Sequence, residues 1–272
     1  MPGARWARRL LLLLLVVLGL LYAGLVFGER LFIYFPTREL SASPADAGLE
    51  FVDVTVETDD GVNLHGWWVP GRTNEVTLLW FHGNAGNLGD RVGLLKLLHD
   101  ELGVGIFAID YRGYGRSQGK PSETGLYADA QAALEAAKKY SGAGSEEIVI
   151  FGQSLGGAVA VELASRQPVR GVVLEAAFTS IRDMARHLYS FLPVGPLLRT
   201  SFDSESRIAK IDTPLLMIHG QDDDIVPLDM GRKLFAAAEE PKEFSEVEGA
   251  GHNDVYLKAE FTATLKRFLD TL

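Results

Sequence analysis

Gly152-Gln153-Ser154-Leu155-Gly156 constrains this chain more than any other stretch, because of what flanks it. Before it, Glu147 to Phe151 (EIVIF) is short, apolar and β-branched, the pattern of a buried strand. After it, Gly157 to Arg166 is mostly small and apolar, suited to a helix packed on a sheet. A strand, a G-x-S-x-G turn and a helix in that order hold the serine in a strained turn, with its hydroxyl exposed at the sheet edge. Glycine is needed two residues to either side, because a Cβ would collide where strand and helix nearly touch. The helix starting at Leu155 also turns its amide-rich N-terminus toward the place where an oxyanion would form.

A second match, Gly115-Arg116-Ser117-Gln118-Gly119, sits in the polar run DYRGYGRSQGKPSE. No helix starts behind it and Pro121 follows closely, so Ser117 is expected to be a loop residue and not a nucleophile. Cysteine is absent, which excludes disulfides, thiolate metal sites and cysteine catalysis. Chemistry built on Ser154 needs no metal or other cofactor, and none is expected.

The N-terminus differs in kind from the rest. Arg5, Arg8 and Arg9 precede an uncharged apolar run, Leu10 to Phe27, that Glu29-Arg30 ends. A helix of that length spans about 27 Å, close to the hydrocarbon core of a bilayer. A cleaved signal peptide has a shorter apolar stretch and small residues at the cut, whereas Leu21-Tyr22-Ala23 offers no such site. Residues 1–30 therefore read as a single transmembrane anchor. The arginine cluster places the N-terminus in the cytoplasm and the remaining chain on the non-cytoplasmic side, periplasmic or lumenal. Four arginines and one glutamate put +3 on residues 1–30, so the −10 of the whole chain leaves −13 on the remainder. A domain that acidic is a poor partner for nucleic acid or for electrostatic adhesion to anionic lipid.

Residues 31–48 read as a juxtamembrane segment and 49–272 as one domain. Phe51 to Glu57 alternates apolar and polar residues, and Asp60-Gly61 marks a hairpin turn into Val62 to Val69. Five buried parallel strands are expected at 76–81, 104–109, 148–151, 169–174 and 214–218, with helices near 88–99, 123–140, 155–166, 228–239 and 254–270. An opening antiparallel hairpin followed by repeated β-α units predicts an α/β fold, a mostly parallel sheet with helices on both faces. Residues 178–210 interrupt the alternation and hold Pro193, Gly195 and Pro196. They read as a short cap over the C-terminal edge of the sheet, where sites in such folds lie. Ile181, Met184 and Leu188 share one helical face within it.

A serine hydroxyl needs a base to take its proton. Of six histidines, His65, His99 and His187 fall on a strand, an amphipathic helix and the insert, where packing or surface roles are usual. His82 and His219 each precede glycine at a strand end, where an imidazole commonly bonds the turn. His252 lies in the glycine-rich loop Gly249-Ala250-Gly251-His252-Asn253-Asp254, which can present a side chain over the sheet edge. The imidazole in turn requires a carboxylate to fix its tautomer. Candidates are Asp222, Asp223 and Asp224, only one of which can face it. Serine, aspartate and histidine then occur in the chain order of G-x-S-x-G hydrolases.

From about residue 50 onward the chain resembles the α/β-hydrolase family, and within it the small branch of membrane-anchored serine hydrolases with bud-emergence-type proteins and depalmitoylating enzymes. Phe81-His82-Gly83-Asn84-Ala85-Gly86-Asn87 resembles that branch's HGNAGN loop, and Asp110-Tyr111-Arg112-Gly113-Tyr114-Gly115 its DYRGYG turn. His219 to Pro227 is similar to the family pattern HGxxDxxVP, which implies Asp223 as the acid. The resemblance also implies an oxyanion hole from the backbone amides of Leu155 and Asn84, with Ala85 as the alternative to Asn84. Asp110 and Arg112 are expected to brace the turn. The expected reaction is cleavage of an ester or thioester of a small or acylated substrate, through a Ser154–Asp223–His252 triad and an acyl-enzyme. A serine peptidase and a catalytically silent scaffold are the competing readings, and Ser154 at the elbow excludes a dehalogenase-type aspartate.

Overall fold

The computed structural model describes residues 2–72, 76–190, 195 and 198–272, and only some of the side chains in the first helix. In chain order the elements are α1 (Pro2–Gly28), α2 (Arg30–Ile33), β1 (Phe35–Pro36), β2 (Val52–Glu57), β3 (Asn63–Val69), β4 (Thr77–Phe81), β5 (Ala85–Gly86) and α3 (Val92–Leu102). Next come β6 (Gly105–Ile109), α4 (Glu123–Ser141), β7 (Ile148–Gln153), α5 (Leu155–Ala164), β8 (Gly171–Glu175), α6 (Ile181–Leu188) and α7 (Glu205–Ile208). The chain closes with β9 (Leu215–Gly220), α8 (Leu228–Ala236), β10 (Lys242–Val247) and α9 (Ala259–Thr271).

Eight strands form one sheet in the order β10-β9-β8-β7-β4-β6-β3-β2. Strand β3 runs antiparallel to both its neighbours, and every other pairing is parallel. The central strands read as unbroken apolar runs because both faces are covered. Along β4, Leu79 and Phe81 join the core beneath α4 and α5, while Leu78 and Trp80 join the core beneath α3 and α9. Ile148 and Ile150 against Val149 and Phe151 repeat that division on β7. This period of two from consecutive hydrophobic residues is what a two-sided sheet requires.

The predicted strands and helices are present, with shifted ends. The helix expected at 88–99 opens as a 3₁₀ turn at Leu88–Arg91 and becomes α-helical from Val92. The sequence implies a last strand before the histidine loop without placing it. That strand is β10, KEFSEV, which lies on the sheet edge half exposed, so its apolar pattern is weak. Arg112 is held by Asp60 and by buried Asp129, and Asp110 accepts the Leu88 amide, so both brace the turn as expected.

Residues 31–48 are packed onto the sheet domain. Strand β1 pairs in parallel with β5, in the loop after β4. The buried Asn87 side chain donates to the Thr37 carbonyl and hydroxyl and to the Glu39 carbonyl at 2.7–3.2 Å. Helix α1 is 27 residues long. Among the described residues no helix is long and apolar enough to cross a membrane, and part of the run Leu10–Phe27 lies outside the described side chains. The expected cap holds α6 and α7, while Phe191–Val194, Pro196 and Leu197 fall outside the described residues.

Candidate active site

Ser154 follows β7 and precedes α5 with φ 51° and ψ −113°, a conformation that L-residues adopt only under strain. The glycines beside it show why the turn holds. A Cβ on Gly152 would lie 2.5 Å from the Gly156 carbonyl oxygen, and one on Gly156 would collide with the Phe81 carbonyl. Gln153 fixes the turn from the other side. Its carbonyl-type Oε1 accepts from Trp80 Nε1 at 3.0 Å, and its Nε2 donates to Glu175 at 2.9 Å. The Ser154 amide donates to the Glu175 carbonyl at 2.8 Å.

Two loops at the same sheet edge bring the other partners. His252 Nε2 lies 3.1 Å from Ser154 Oγ, and its Nδ1 lies 2.7 Å from Asp223 Oδ2. Asp223 Oδ1 accepts the amides of Ile225 and Val226 at 2.9 and 2.7 Å. Burial would raise the Asp223 pKa, but hydrogen bonds from His219 and His252 and the Val226 amide outweigh it and hold the carboxyl well below the usual range. A carboxylate held ionised fixes the Nδ1–H tautomer, which leaves Nε2 to accept the serine proton. Asp222 and Asp224 are exposed and Asp223 is buried, so the structure separates the three. The two loops are fastened to each other where the Asp222 amide donates to the Ala250 carbonyl at 2.9 Å. Asp254 in turn accepts the Gly251 amide at 2.6 Å, which pins the histidine loop.

The remaining histidines and the second G-x-S-x-G are placed as expected. His82 Nδ1 bonds the Gly83 carbonyl and His219 Nε2 the Val226 carbonyl, at 2.7 and 2.9 Å. Ser117 is fully buried; its hydroxyl donates to the Asp110 carbonyl at 2.6 Å and accepts the His65 amide at 2.8 Å. It is a structural hydroxyl with no path to substrate.

Ser154 stands where two cavities meet. One, of about 580 Å³, is lined by Phe178, Ile181, Met184 and Leu188 of the cap segment and by Phe32 and Phe35 of the segment after α1. The face predicted from 181, 184 and 188 is therefore one wall of this cavity. Sequence reasoning missed the other wall, whose signal was the run LFIYF at 31–35, still apolar past Glu29-Arg30. The second cavity, about 360 Å³, is the more polar of the two, about half of its lining being polar, with Arg91, Gln153, Glu175, His252 and Asn253 on its walls. Leu155 reaches the apolar cavity beside Ser154, Asn84 lines both cavities, and Ala85 lines the polar one. The Asn84 carbonyl accepts from the Phe35 amide and the Tyr114 hydroxyl at 3.0 and 2.8 Å, and its Nδ2 donates to the Ile33 carbonyl at 3.0 Å. Asn84 is thus held rigidly by the segment after α1.

If this geometry serves catalysis, Asp223→Asn lowers kcat on a soluble ester by at least about a thousandfold, since the wrong tautomer is then favoured. Asp222→Asn and Asp224→Asn each stay within about threefold of the parent chain. Steady-state kinetics on the three variants check this, and equal losses among them would contradict it.

Comparison with known proteins agrees with this architecture. The family described as "Serine aminopeptidase, S33" matches residues 73–196. The chain is 42% identical to the uncharacterized protein Rv2307c of Mycobacterium tuberculosis over 83% of this chain and 81% of that one. It is 34% identical to protein bem46 of Schizosaccharomyces pombe, over 94% and 89% of the two chains. Among solved structures, an esterase of Pyrococcus furiosus superposes with a TM-score of 0.72 at 20% identity, covering 88% of this chain and 97% of the other, which shows the shared fold. The strained serine turn, the eight-stranded sheet and these relatives together show that the chain belongs to the α/β-hydrolase family, in the branch that includes bem46.

Proposed function

We propose that this α/β hydrolase is a membrane-anchored serine esterase or thioesterase acting on substrates with an apolar acyl chain. One observation carries the reading: Ser154 Oγ ends a Ser–His–Asp hydrogen-bond series and opens onto an apolar cavity large enough for an acyl chain. His252 takes the Ser154 proton as Oγ bonds to the acyl carbon. The amides of Leu155 and Asn84 receive the oxyanion, Leu155 being a first helical residue whose N–H has no intrahelical partner. His252 then gives its proton to the departing alcohol or thiol as the old bond breaks. Water then bonds to the acyl carbon as it loses a proton to His252, and the acyl–Oγ bond breaks as His252 returns that proton to Ser154, releasing the acid.

The family description names an aminopeptidase, which must hold a free ammonium group. Among the described residues the apolar cavity has one carboxylate on its wall, Glu29, and its two oxygens accept the Arg199 amide and the Thr200 hydroxyl at 2.9 and 2.8 Å. Ester or thioester cleavage fits that wall better. Anchoring by residues 1–30 is supported by the exposed apolar side chains of Leu10 to Val17 along α1, which no described residue covers. Phe32 and Phe35, at the cavity wall, are also more than half or half exposed and follow directly on that helix.

Ser154→Ala reduces p-nitrophenyl ester hydrolysis to background, while Ser117→Ala, if it folds, retains activity. For the parent chain kcat/KM rises with acyl length through short and medium chains, by up to about 0.8 kcal/mol per buried methylene, and then levels. Met184→Ala or Leu188→Ala flattens that rise. Equal activity of Ser154→Ala, or a steady fall in kcat/KM from acetyl onward, contradicts the reading.

For the anchor, the full chain stays in the membrane fraction at high salt and alkaline pH, and a C-terminal alkaline phosphatase fusion is active on the non-cytoplasmic side. Extraction by alkali contradicts the anchor, and an inactive fusion of full length contradicts the orientation.

A further inference from the structure

The apolar cavity accounts for the acyl half of a substrate and leaves the polar cavity to the other half. The leaving atom must receive a proton from His252, and of these two cavities His252 lines the polar one. An ester or thioester bound with its acyl chain among Met184, Leu188 and Phe178 therefore sends its alcohol or thiol portion toward Arg91.

Arg91 is the one lysine or arginine on that cavity's walls among the described residues. It flanks the nucleophile across Gly83, where an added Cβ would lie 3.7 Å from Ser154 Cβ and 3.8 Å from Arg91 Nη2. The residue is half buried, and among the described residues its guanidinium makes one hydrogen bond, from Nη2 to the Ala85 carbonyl at 2.7 Å. Other arginines of this domain show the contrast. Arg112 is paired with Asp60 and Asp129, Arg232 with Asp229 and Glu246, and Arg267 with Glu243. Among the described residues no carboxylate lies within ion-pair distance of Arg91.

The carboxylates sharing the cavity are engaged elsewhere. Asp90 accepts the Asn87 amide and the Ser41 hydroxyl at 3.0 and 3.1 Å. Glu175 accepts from Gln153, and burial pushes its carboxyl up to about 7, so near neutral pH it is only partly ionised. Burial likewise lowers the Arg91 pKa, and the nearby aspartates Asp90 and Asp110 offset only part of that. A planar fork of donors without a protein acid beside a nucleophile matches a carboxylate or phosphate.

Resting on the esterase reading above, we propose that Arg91 is a specificity-determining residue that binds an anionic group on the leaving portion of the substrate. The substrate class is an apolar acyl ester or thioester whose alcohol or thiol carries a carboxylate or a phosphate. The carbonyl sits at Ser154, with the chain in the apolar cavity and the anion against the free N–H groups of Arg91.

The test uses the full chain in detergent micelles and two substrate pairs with one acyl length. The phosphate pair is 1-lauroylglycerol 3-phosphate against 1-lauroylglycerol. The carboxylate pair is the S-lauroyl thioester of 3-mercaptopropionate against that of 3-mercaptopropanamide. The parent chain shows a kcat/KM ratio of anionic to neutral substrate of at least about tenfold in one pair, and the pair that shows it identifies the anion. Arg91→Gln brings that ratio to within about threefold of one, whatever happens to the absolute rates, and Arg91→Lys keeps part of it. Thermal melting of each variant establishes that it is folded. A parent ratio at or below one in both pairs overturns the proposal, as does a preference that survives Arg91→Gln. Those outcomes leave the esterase reading standing. Absence of hydrolysis of all four substrates and of p-nitrophenyl esters would instead overturn that reading.

Discussion

The close approach of β7, α5 and the end of β4 is the constraint on which the site depends. Three backbones converge at Ser154, and only glycine at 152 and 156 lets them do so. The φ of 51° at Ser154 is the consequence, since strand and helix cannot otherwise meet within one residue. That strain is sustained by a dense surround: Phe81, Ile150, Val159 and Val161 are fully buried, and Gln153 is tied to Trp80 and Glu175. With the serine fixed, the loops after β9 and β10 need only deliver one carboxylate and one imidazole to the same edge. Parallel pairing of β9 with β10 sets them side by side, and the Asp222–Ala250 hydrogen bond locks the two loops.

The segment after α1 is a second determinant of the site. Glu29 ties the end of the helix to the cap at Thr200, Ile33 and Phe35 hold Asn84, and Thr37 and Glu39 hold Asn87. The loop proposed to receive the oxyanion is thereby braced by residues of the segment between α1 and β2. Cap and segment face each other across the apolar cavity, so its width depends on both. Ser154, Asn84 and Ile225 mark the boundary with the polar cavity. Ser154 thus stands between an oily side and a more polar side, a division that the proposed substrate, with an acyl chain and a hydrophilic leaving group, would use.

Much of this was legible in the sequence, for a physical reason. The serine turn, the histidine loop and the aspartate loop are each local, a few residues at the end of a strand, so their signals survive in a linear pattern. The stripe at 181, 184 and 188 was legible because helical periodicity is local too. What escaped was long-range. Glu29 with Thr200 and Asn84 with Ile33 join residues far apart in the chain, and no pattern of either partner announces the other. The last strand had no placed position because KEFSEV, on an edge, buries too little to alternate clearly. Arg91 carries no signal in the sequence, because only the fold shows that among the described residues no acid lies within ion-pair distance of it.

Labelling with a fluorophosphonate followed by peptide mass spectrometry tests the central claim most directly, because only a serine activated by a base and facing an oxyanion site reacts quickly. A single adduct is expected on the peptide containing Ser154, lost in both Ser154→Ala and His252→Ala. A folded chain that takes no label, or one labelled at Ser117 or elsewhere, would contradict it.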